Sequence, residues 1–434
     1  MVQIYSTHSS ERLNYILNYV FKERFGIPFT LSTDTENLEN TGGLRLNYSE
    51  EVIPGSLQII PQGILSESSV RYLVFDLSDQ DDSMASLLDK SENRLHFDIF
   101  SAIFYLVSRY EEYLMFPKDK HHRFRHEDSS LFRGSCLHLP LVDIWVSKFK
   151  TVLIEDFGLS RDSFAQNRFT VKPTLDIDSV FAYRGRPFLR HLTGICRNLA
   201  LLQFGEIAKR LRVIWLGEQD PNDNFDFQLQ ALSEKGIQAH YFFQVGPYGP
   251  YDKNIHPGNK DFINTIRKIK AAGHSIGLHP SYQSNGDPAS IKVEKDILEG
   301  ILQTEVTTSR QHFLRVELPK TYRSLIECGI REDYSMGYSE VNGFKAGTAF
   351  PFYWFDIEQN KTTELRIIPF CMMDVAYKQF GKVDADETIE KSKGMIETLK
   401  SLGAPFFFVF HNESLSEHRG WQGWRNVFKY WLNG

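Results

Sequence analysis

The sequence predicts an α/β protein with two domains, residues 1–165 and 166–434. Its 434 residues exceed one ordinary hydrophobic core, and helical and apolar stretches mix without a visible repeat in the first domain. From about residue 168, short apolar runs alternate with stretches of helical spacing about seven times. This alternation is typical of parallel strands wrapped by helices, so the second domain is either a barrel or a doubly wound sheet.

The amino-terminal domain is predicted to contain helices over residues 11–26 and 97–116 and a strand over residues 70–78. The loop at residues 117–130, "PKDKHHRFRHEDSS", is rich in His and Arg. Such a run can bind an anion but is more often a solvated loop, so we assign it no chemistry. The role of this domain stays unassigned.

In the second domain, seven apolar runs are interpreted as strands: "FTVKPTLDID", "IQAHYFFQVG", "HSIGLHPSY", "RQHFLRV", a weaker run near "YSMGYSE", "LRIIPFCMMD" and "PFFFVFHNES". Two intervening helices are predicted to bury one apolar face each. These faces are Phe262, Ile266 and Ile269 in the first helix and Val293, Ile297 and Ile301 in the second.

Residues 180–227 are mostly helical and much longer than an ordinary connection between a strand and a helix, so they are predicted to form an inserted helical cap. The many Arg and Lys residues of this segment fit two interpretations. They can face an anionic ligand, or they can keep an amphipathic helix soluble, which is the more common case.

Composition narrows the function classes. A net charge of -6 gives no electrostatic reason to expect a nucleic-acid partner. The chain has no apolar run of about 18 residues and no signal-like amino terminus, so we expect no membrane span and a cytoplasmic location. Four widely spaced cysteines indicate reduced thiols rather than a thiolate zinc site or a disulfide framework.

The first predicted strand ends with two carboxylates, Asp176 and Asp178. Residues two apart in an extended chain point to the same side, although neighbouring like charges resist being ionised together. A divalent metal would stabilise one ionised carboxylate and leave the other free to act as a base.

Other polar residues also lie at predicted strand ends: His279, Arg310, Arg315, Asp374 and His411. Each one alone has a structural explanation, since strand-end His and Asp side chains often make hydrogen bonds or cap helices. Their joint placement at matching strand ends points to a shared site. His274, five residues before His279 on the same strand, should face the opposite side and is interpreted as structural.

Four segments in this order, "TLDIDS", "GHSIGLHPSY", "SRQHFLR" and "FHNES", resemble the polysaccharide deacetylase superfamily with the NodB-homology domain, over about residues 168–434. The segments "FDIFSAIFYLVSRYEEYL" and "GFKAGTAFPFYWFD" resemble two-domain deacetylase-like proteins of Bacteroidetes. The resemblance implies a distorted seven-stranded (β/α) barrel that removes acetyl groups from N-acetylated or O-acetylated sugars with one divalent ion.

The resemblance also implies residue roles. Asp176 corresponds to the general base and Asp178 to a metal ligand. His279 corresponds to the first metal histidine. His411 corresponds to the histidine that protonates the leaving group, and Arg310 to the arginine that orients the base.

One departure from the family pattern concerns the third metal ligand. The family places a second metal histidine four residues after the first, where this chain has Gln283. A Gln oxygen is a poorer Zn²⁺ ligand than imidazole, so the expected ion, Zn²⁺ with Co²⁺ or Mn²⁺ as alternatives, would be bound weakly or through another residue. His240 is one such substitute, unless it is packed in the strand.

The resemblance favours a metal-dependent hydrolase that deacetylates an N-acetylated or O-acetylated sugar or glycan. The alternative is a catalytically silent carbohydrate-binding protein of the same fold. In that alternative, the aromatic residues Tyr282, Tyr353 and Trp354 would stack on sugar rings. Gln283 is the feature that keeps the alternative open.

Overall fold

Two β-sheets organise the chain in a computed structural model, which describes residues 2–35, 43–73, 75, 77, 88–89 and 92–434. The first sheet has six strands in the order β2-β1-β3-β4-β6-β5, all neighbours being parallel except β5 and β6. Its strands are β1 (Val2–Ser6), β2 (Phe29–Ser32), β3 (Leu44–Tyr48), β4 (Leu57–Gln58), β5 (Leu88–Asp89) and β6 (Arg94–Leu95). The strand predicted over residues 70–78 is not formed by the described residues 70–73, 75 and 77, and residues 74, 76 and 78 lie outside the described part.

The first predicted helix is present. Helix α1 (Glu11–Leu17) begins after Ser10, whose side chain accepts a hydrogen bond from the Leu13 N–H, and it continues as π-helical turns to Phe25. The segment ends at Gly26 with φ 70°, a conformation that glycine adopts without strain.

The second predicted helix, over residues 97–116, is shorter than expected. Helix α2 (Ile99–Val107) ends before Arg109, which has φ 57°. The buried Arg109 guanidinium donates to the carboxylates of Glu111 and Glu112, and a short 3₁₀ turn, Tyr110–Tyr113, follows. Pairing a buried cation therefore ends the helix. Helices α3 (Ser130–Arg133) and α4 (Leu141–Glu155) complete this part.

The second sheet has nine strands in the order β12-β13-β11-β10-β9-β8-β7-β15-β14. Neighbouring strands are parallel except β12 and β13. The strands are β7 (Thr170–Ile177), β8 (His240–Phe243), β9 (Ser275–Leu278), β10 (Thr308–Ser309), β11 (Glu332–Met336), β12 (Phe352–Asp356), β13 (Lys361–Pro369), β14 (Met372–Met373) and β15 (Pro405–His411).

This sheet is strongly curled. Tyr334 on β11 and Phe407 on β15 are five strands apart in the sheet order, which in a flat sheet would separate them by about 24 Å. Their ring centroids are 6.3 Å apart, within a cluster that also holds Phe242 and Ile368. The predicted α/β class with a distorted barrel is therefore confirmed. The sheet has nine strands because it includes the antiparallel β12 and the two-residue β14.

The predicted helical insertion is also confirmed, as α5 (Phe188–Ala200) and α6 (Phe204–Trp215), which follow β7 in the chain. The remaining helices are α7 (Phe225–Lys235), α8 (Lys260–Ala271), α9 (Pro288–Leu302), α10 (Lys320–Glu327), α11 (Ala385–Ser401) and α12 (Trp424–Asn433).

Of the two predicted apolar faces, only the first is correct. Phe262, Ile266 and Ile269 of α8 are fully buried. In α9, Val293 and Ile297 are exposed, and the buried face is formed by Ile291, Glu294, Leu298 and Ile301. Glu294 turns inward because its carboxylate accepts hydrogen bonds from the Ser281 N–H and hydroxyl, in the turn after β9.

One hydrophobic cluster spans both parts of the chain. Tyr15 of α1 packs against Phe355 of β12 with ring centroids 5.1 Å apart, and its hydroxyl donates to the Tyr353 carbonyl at 2.7 Å. The domain boundary near residue 165 stays a prediction. Within the described part of the chain, no helix is both long and apolar enough to cross a bilayer.

Candidate functional site

The carboxyl ends of the parallel strands surround a cleft of about 360 Å³. Four of the predicted site residues line it: Asp176, Asp178, His279 and His411. Arg310 lies directly behind Asp176. This grouping follows from the parallel sheet, because its strands all end at one edge.

Asp176 is the last inward-facing residue of β7 and is buried. Its Oδ1 accepts a hydrogen bond of 2.8 Å from Nη1 of the fully buried Arg310. Arg310 is held by a second bond of 2.9 Å from Nε to the Tyr334 carbonyl, and its guanidinium lies 4.8 Å from the Phe242 ring centroid. A buried cation therefore fixes the Asp176 carboxylate at the edge of the cleft.

The Asp178 carboxylate contacts two histidines. The Nε2 atoms of His279 and His312 lie 3.1 Å and 3.7 Å from its Oδ1, and the three residues offer ligand atoms within 4.8 Å of one another. Nδ1 of His279 is 2.6 Å from the Arg310 carbonyl oxygen, which can only accept. Nδ1 therefore carries the hydrogen, and in the neutral ring the Nε2 lone pair is directed at Asp178.

His312 is arranged in the same way. Its Nδ1 lies 2.9 Å from Oδ1 of the buried Asp252, which also accepts bonds from the Gln244 amide and the Tyr282 N–H. A carboxylate behind a histidine fixes its tautomer and increases its strength as a ligand. When both rings are neutral, three acceptor atoms thus converge on one point, which is the arrangement that a cation requires.

In the metal-free protein, protonation balances these charges. Burial alone would lower the pKa of His312, but the carboxylates of Asp178 and Asp252 outweigh burial and raise the pKa to about 9. For Asp178, burial acts to raise the pKa, yet His312 and His279 hold it well below its ordinary value. A bound divalent ion would take the place of that proton.

His411 ends β15 and is oriented by Asp374. The Asp374 carboxylate accepts hydrogen bonds from the His411 Nδ1–H at 2.8 Å and from its backbone N–H at 2.7 Å. Burial alone would lower the pKa of His411, but Asp374, Asp178 and Asp176 raise it to about 10. His411 is therefore protonated at neutral pH, with its Nε2 side toward the cleft.

Gln283, the predicted third ligand, does not line the cleft. Its side chain is exposed on the turn after β9, and its amide nitrogen lies beside Gly249. His240, the substitute considered, lies at the start of β8, stacked on Phe242 and bonded to the Thr308 hydroxyl. Burial, with Arg310 nearby, lowers the pKa of His240 to about 3.

Sequence reasoning did not single out His312, although it lies in the quoted segment "SRQHFLR". It opens a 3₁₀ turn, His312–Leu314, just after the two-residue strand β10. The sequence did contain a signal for His312. It lies two residues after Arg310, in a segment that already supplied a predicted site residue.

The amino-terminal part also reaches the cleft. Lys120, His121 and Arg123, from the loop expected to be solvated, line it. Arg123 Nη1 donates to the Phe313 carbonyl at 2.7 Å and to the Ser339 hydroxyl at 2.6 Å. The His121 ring lies 4.9 Å from the Phe313 ring. This loop therefore supports the turn that carries His312.

The predicted aromatic residues are dispersed. Trp354 is buried against Tyr322, and Tyr353 lies on β12, away from the cleft-lining residues. Tyr282 packs against Tyr251 and bonds His121 Nδ1 at 3.1 Å. Arg315 donates to the Tyr282 carbonyl rather than to the cleft.

His274 has the structural role predicted for it. Its Nδ1 accepts a hydrogen bond of 3.2 Å from the Ala239 N–H, and its ring packs against Tyr241.

Comparison with known families matches residues 2–158 to a family of unknown function, DUF7033. A search of curated proteins finds no match.

Solved structures give remote matches. A protein from Mycobacterium smegmatis, provisionally named a polysaccharide deacetylase, is 14% identical, with 61% of this chain and 84% of that chain covered and a TM-score of 0.39. The Puue allantoinase is 15% identical, with 61% and 84% covered and a TM-score of 0.36. The chitin deacetylase of the fungal pathogen Colletotrichum lindemuthianum is 15% identical, with 56% and 86% covered and a TM-score of 0.26. These matches include proteins named for the family that the sequence motifs resemble, but their TM-scores are all below 0.5, so the roles of the site residues rest on the contacts of this chain.

Proposed function

We propose that the chain is a metal-dependent hydrolase that removes acetyl groups from an N-acetylated or O-acetylated sugar or glycan. The observation that carries the proposal is the convergence of Asp178, His279 and His312, whose acceptor atoms meet within 4.8 Å. Beside them lie the carboxylate of Asp176 and the imidazole of His411, whose pKa is raised to about 10. A base, an acid and a Lewis-acid site together can catalyse the hydrolysis of an amide or ester.

The donor set fits a divalent ion. One carboxylate oxygen and two imidazole nitrogens are suitable ligands for Zn²⁺, and Co²⁺ or Mn²⁺ would be bound by the same atoms. Asp252 and the Arg310 carbonyl supply the outer hydrogen bonds that metal-bound histidines need. When bound, the ion would act as a Lewis acid toward the acetyl carbonyl and lower the pKa of a nearby water molecule.

Asp176 would act as the general base. Its carboxylate lines the cleft and is held by Arg310, so it is placed to take a proton from the attacking water. Arg310 does not line the cleft itself. Its bonds to Asp176 and to the Tyr334 carbonyl make it a positioning residue that fixes the direction of the base.

His411 would return a proton to the leaving group. Asp374 fixes the Nδ1–H, so the second ring nitrogen is the one available to an amine or alcohol in the cleft. The high pKa of His411 keeps this proton in place until the carbon–nitrogen or carbon–oxygen bond breaks.

The alternative of a silent carbohydrate-binding protein has less support. It depended on Gln283 as a missing ligand, whereas His312 offers a second imidazole nitrogen at the same point. It also depended on aromatic stacking, whereas Trp354 is buried and cannot contact a sugar in the cleft.

An acetate-release screen would test the proposal. Purified protein would be stripped of metal, supplied with Zn²⁺, Co²⁺ or Mn²⁺, and incubated with N-acetylated and O-acetylated sugars and glycans. We expect release that depends on added metal and that disappears in Asp178→Asn. A Gln283→Ala variant is the matched control and should keep wild-type activity. Metal uptake without release from any acetylated carbohydrate would favour the silent binding protein instead.

A further inference from the structure

A second groove, of about 580 Å³, lies between the helical insertion and the metal-site residues. It is continuous with the cleft, because Asp178, Ser179 and His312 line both. Its walls are strongly basic. The cationic side chains that line it are Arg186, Arg190, Arg197, Arg210, Lys253 and Arg419.

Most of these cations have no acidic partner. Within the described residues, Arg419 pairs with Glu206, whereas Arg186, Arg190, Arg197 and Arg210 make no ion pair. Arg190 lies over the Tyr248 ring, and Arg186 donates only to the Ser179 hydroxyl and the Phe181 carbonyl. Four guanidinium groups thus line one groove without an ion pair, although arginine remains charged in proteins, and the carboxylates in the lining are those of Asp178 and Glu413.

Two buried donors in the groove are also unpaired. Arg210 is 8% exposed and Asn198 6%, and neither Nε of Arg210 nor Nδ2 of Asn198 has a hydrogen-bond partner among the described residues. Gly194 makes this arrangement possible, because a Cβ there would lie 2.6 Å from Arg210 Nη2. Buried donors without partners are costly, so a ligand that accepts hydrogen bonds is expected to satisfy them.

Resting on the proposed function, we propose that this groove binds a phosphate group of the acetylated substrate, next to the site that removes the acetyl group. A phosphate offers only acceptors and carries the charge that clustered guanidinium groups recognise. Burial lowers the pKa of Arg186 and of Arg210, and neighbouring guanidinium groups act in the same direction, against the opposing effect of Asp220.

The phosphate can belong to a soluble sugar phosphate or to a lipid. The second source is suggested by the insertion itself, where ten large apolar side chains are exposed: Phe188, Leu189, Leu192, Leu199, Leu201, Leu202, Phe204, Ile214, Trp215 and Leu216. A helical surface of this kind is typical of segments that lie in the headgroup region of a bilayer.

Two binding measurements on the full chain distinguish the sources. The first is calorimetry with N-acetylglucosamine 1-phosphate and with N-acetylglucosamine. The second is cosedimentation with phosphatidylcholine vesicles that do or do not contain phosphatidic acid. In at least one measurement, the probe that carries a phosphate monoester should bind wild type at least about tenfold more tightly than the probe that lacks it. This is the scale of hydrogen bonds to a charged group.

Arg186→Gln and Arg197→Gln should each reduce that preference. Arg197 is exposed, so its variant is expected to fold. The control is Arg212→Gln, on the same helix as Arg210 but paired with Glu218 outside the groove, and it should bind as wild type does. His279→Gln should lose acetate release and keep phosphate binding, which separates failure of this proposal from failure of the proposed function. The proposal is overturned if wild type prefers neither phosphorylated probe, or if the preference survives in Arg186→Gln and Arg197→Gln.

Discussion

Asp176 and His411 are direct partners in the register of the parallel strands β7 and β15. Neighbouring strands are about 4.8 Å apart, so the two side chains are fixed at one edge of the cleft. Each contacts a residue of opposite charge behind it, Arg310 for the carboxylate and Asp374 for the imidazole. The base and the acid of the proposed reaction are therefore positioned by the sheet itself.

Replacing either partner should slow hydrolysis without removing the metal. Asp176→Asn and His411→Ala should each lose roughly 100-fold or more in rate, the usual range for a positioned acid or base, and keep Zn²⁺ affinity close to wild type. Metal titrations of acetate release would measure both. Full activity in Asp176→Asn would show that Asp176 is not the base.

Metal binding should depend on His312 and not on Gln283. His312→Ala removes one of three converging ligand atoms and should weaken Zn²⁺ binding by more than about 100-fold, the upper end for loss of an outer-shell partner. Gln283→Ala should bind as wild type does. Calorimetry of metal-stripped protein would compare them, and equal loss in both variants would return Gln283 to the ligand set.

Removing the cation behind the base should affect stability and the pH profile together. Arg310→Met leaves a buried carboxylate unpaired, which typically costs about 3 to 5 kcal/mol. Burial then favours protonated Asp176, so acetate release should fall at neutral pH and recover as pH rises. Arg331→Met breaks an exposed pair with Glu305 and should change the free energy of unfolding by at most about 1 kcal/mol. An unchanged pH profile in Arg310→Met would contradict this role.

The high pKa of His411 should depend on Asp374. In the metal-free protein the pKa is about 10, above the ordinary 6.5, so the charged pair stabilises the fold fully below pH 6.5 and loses its effect as pH rises through 10. Asp374→Asn should lower the pKa of His411, as measured by NMR titration. The difference in unfolding free energy between wild type and variant should therefore decrease as the pH rises from 6.5 to 10. A gap that is constant with pH would assign Asp374 a role unrelated to charge.

The amino-terminal loop should contribute to metal affinity. Arg123→Met removes the bonds to the Phe313 carbonyl and the Ser339 hydroxyl, so the turn that carries His312 loses its support. Zn²⁺ affinity should fall about tenfold, in line with the loss of hydrogen bonds to a charged group. Arg125→Met is the control, because Arg125 lies in the same loop and pairs with Asp128. Equal effects of the two variants would point to general loop destabilisation.

The sequence was sufficient to predict the site residues that lie at the ends of regular strands. Asp176 and His411 could be predicted because parallel strands end at one edge, and Phe262, Ile266 and Ile269 because one amphipathic helix buries one face. Asp178 and His279 directly follow β7 and β9, so the same reasoning reached them.

Other features depended on contacts that local patterns do not encode. His312 lies in a turn where Phe313 has φ 60°, so spacing along a strand does not give its direction. The predicted apolar face of α9 was wrong because Glu294 points inward and accepts a hydrogen bond from the Ser281 hydroxyl, a contact between two different elements. His121 and Arg123 reach the cleft through long-range contacts with Phe313, which composition alone cannot reveal.

The adjacency of β7 and β15 also bears on how the protein is made. The Thr174 hydroxyl donates a hydrogen bond to the Phe408 carbonyl, 234 residues later in the chain, so one edge of β7 stays open until residue 408 has left the ribosome. Asp178, His279 and His312 are synthesised well before that point. A nascent chain that ends before β15 would therefore possess the three converging ligand residues while lacking the proposed proton donor, and the proposed hydrolysis would begin only after β15 has been synthesised.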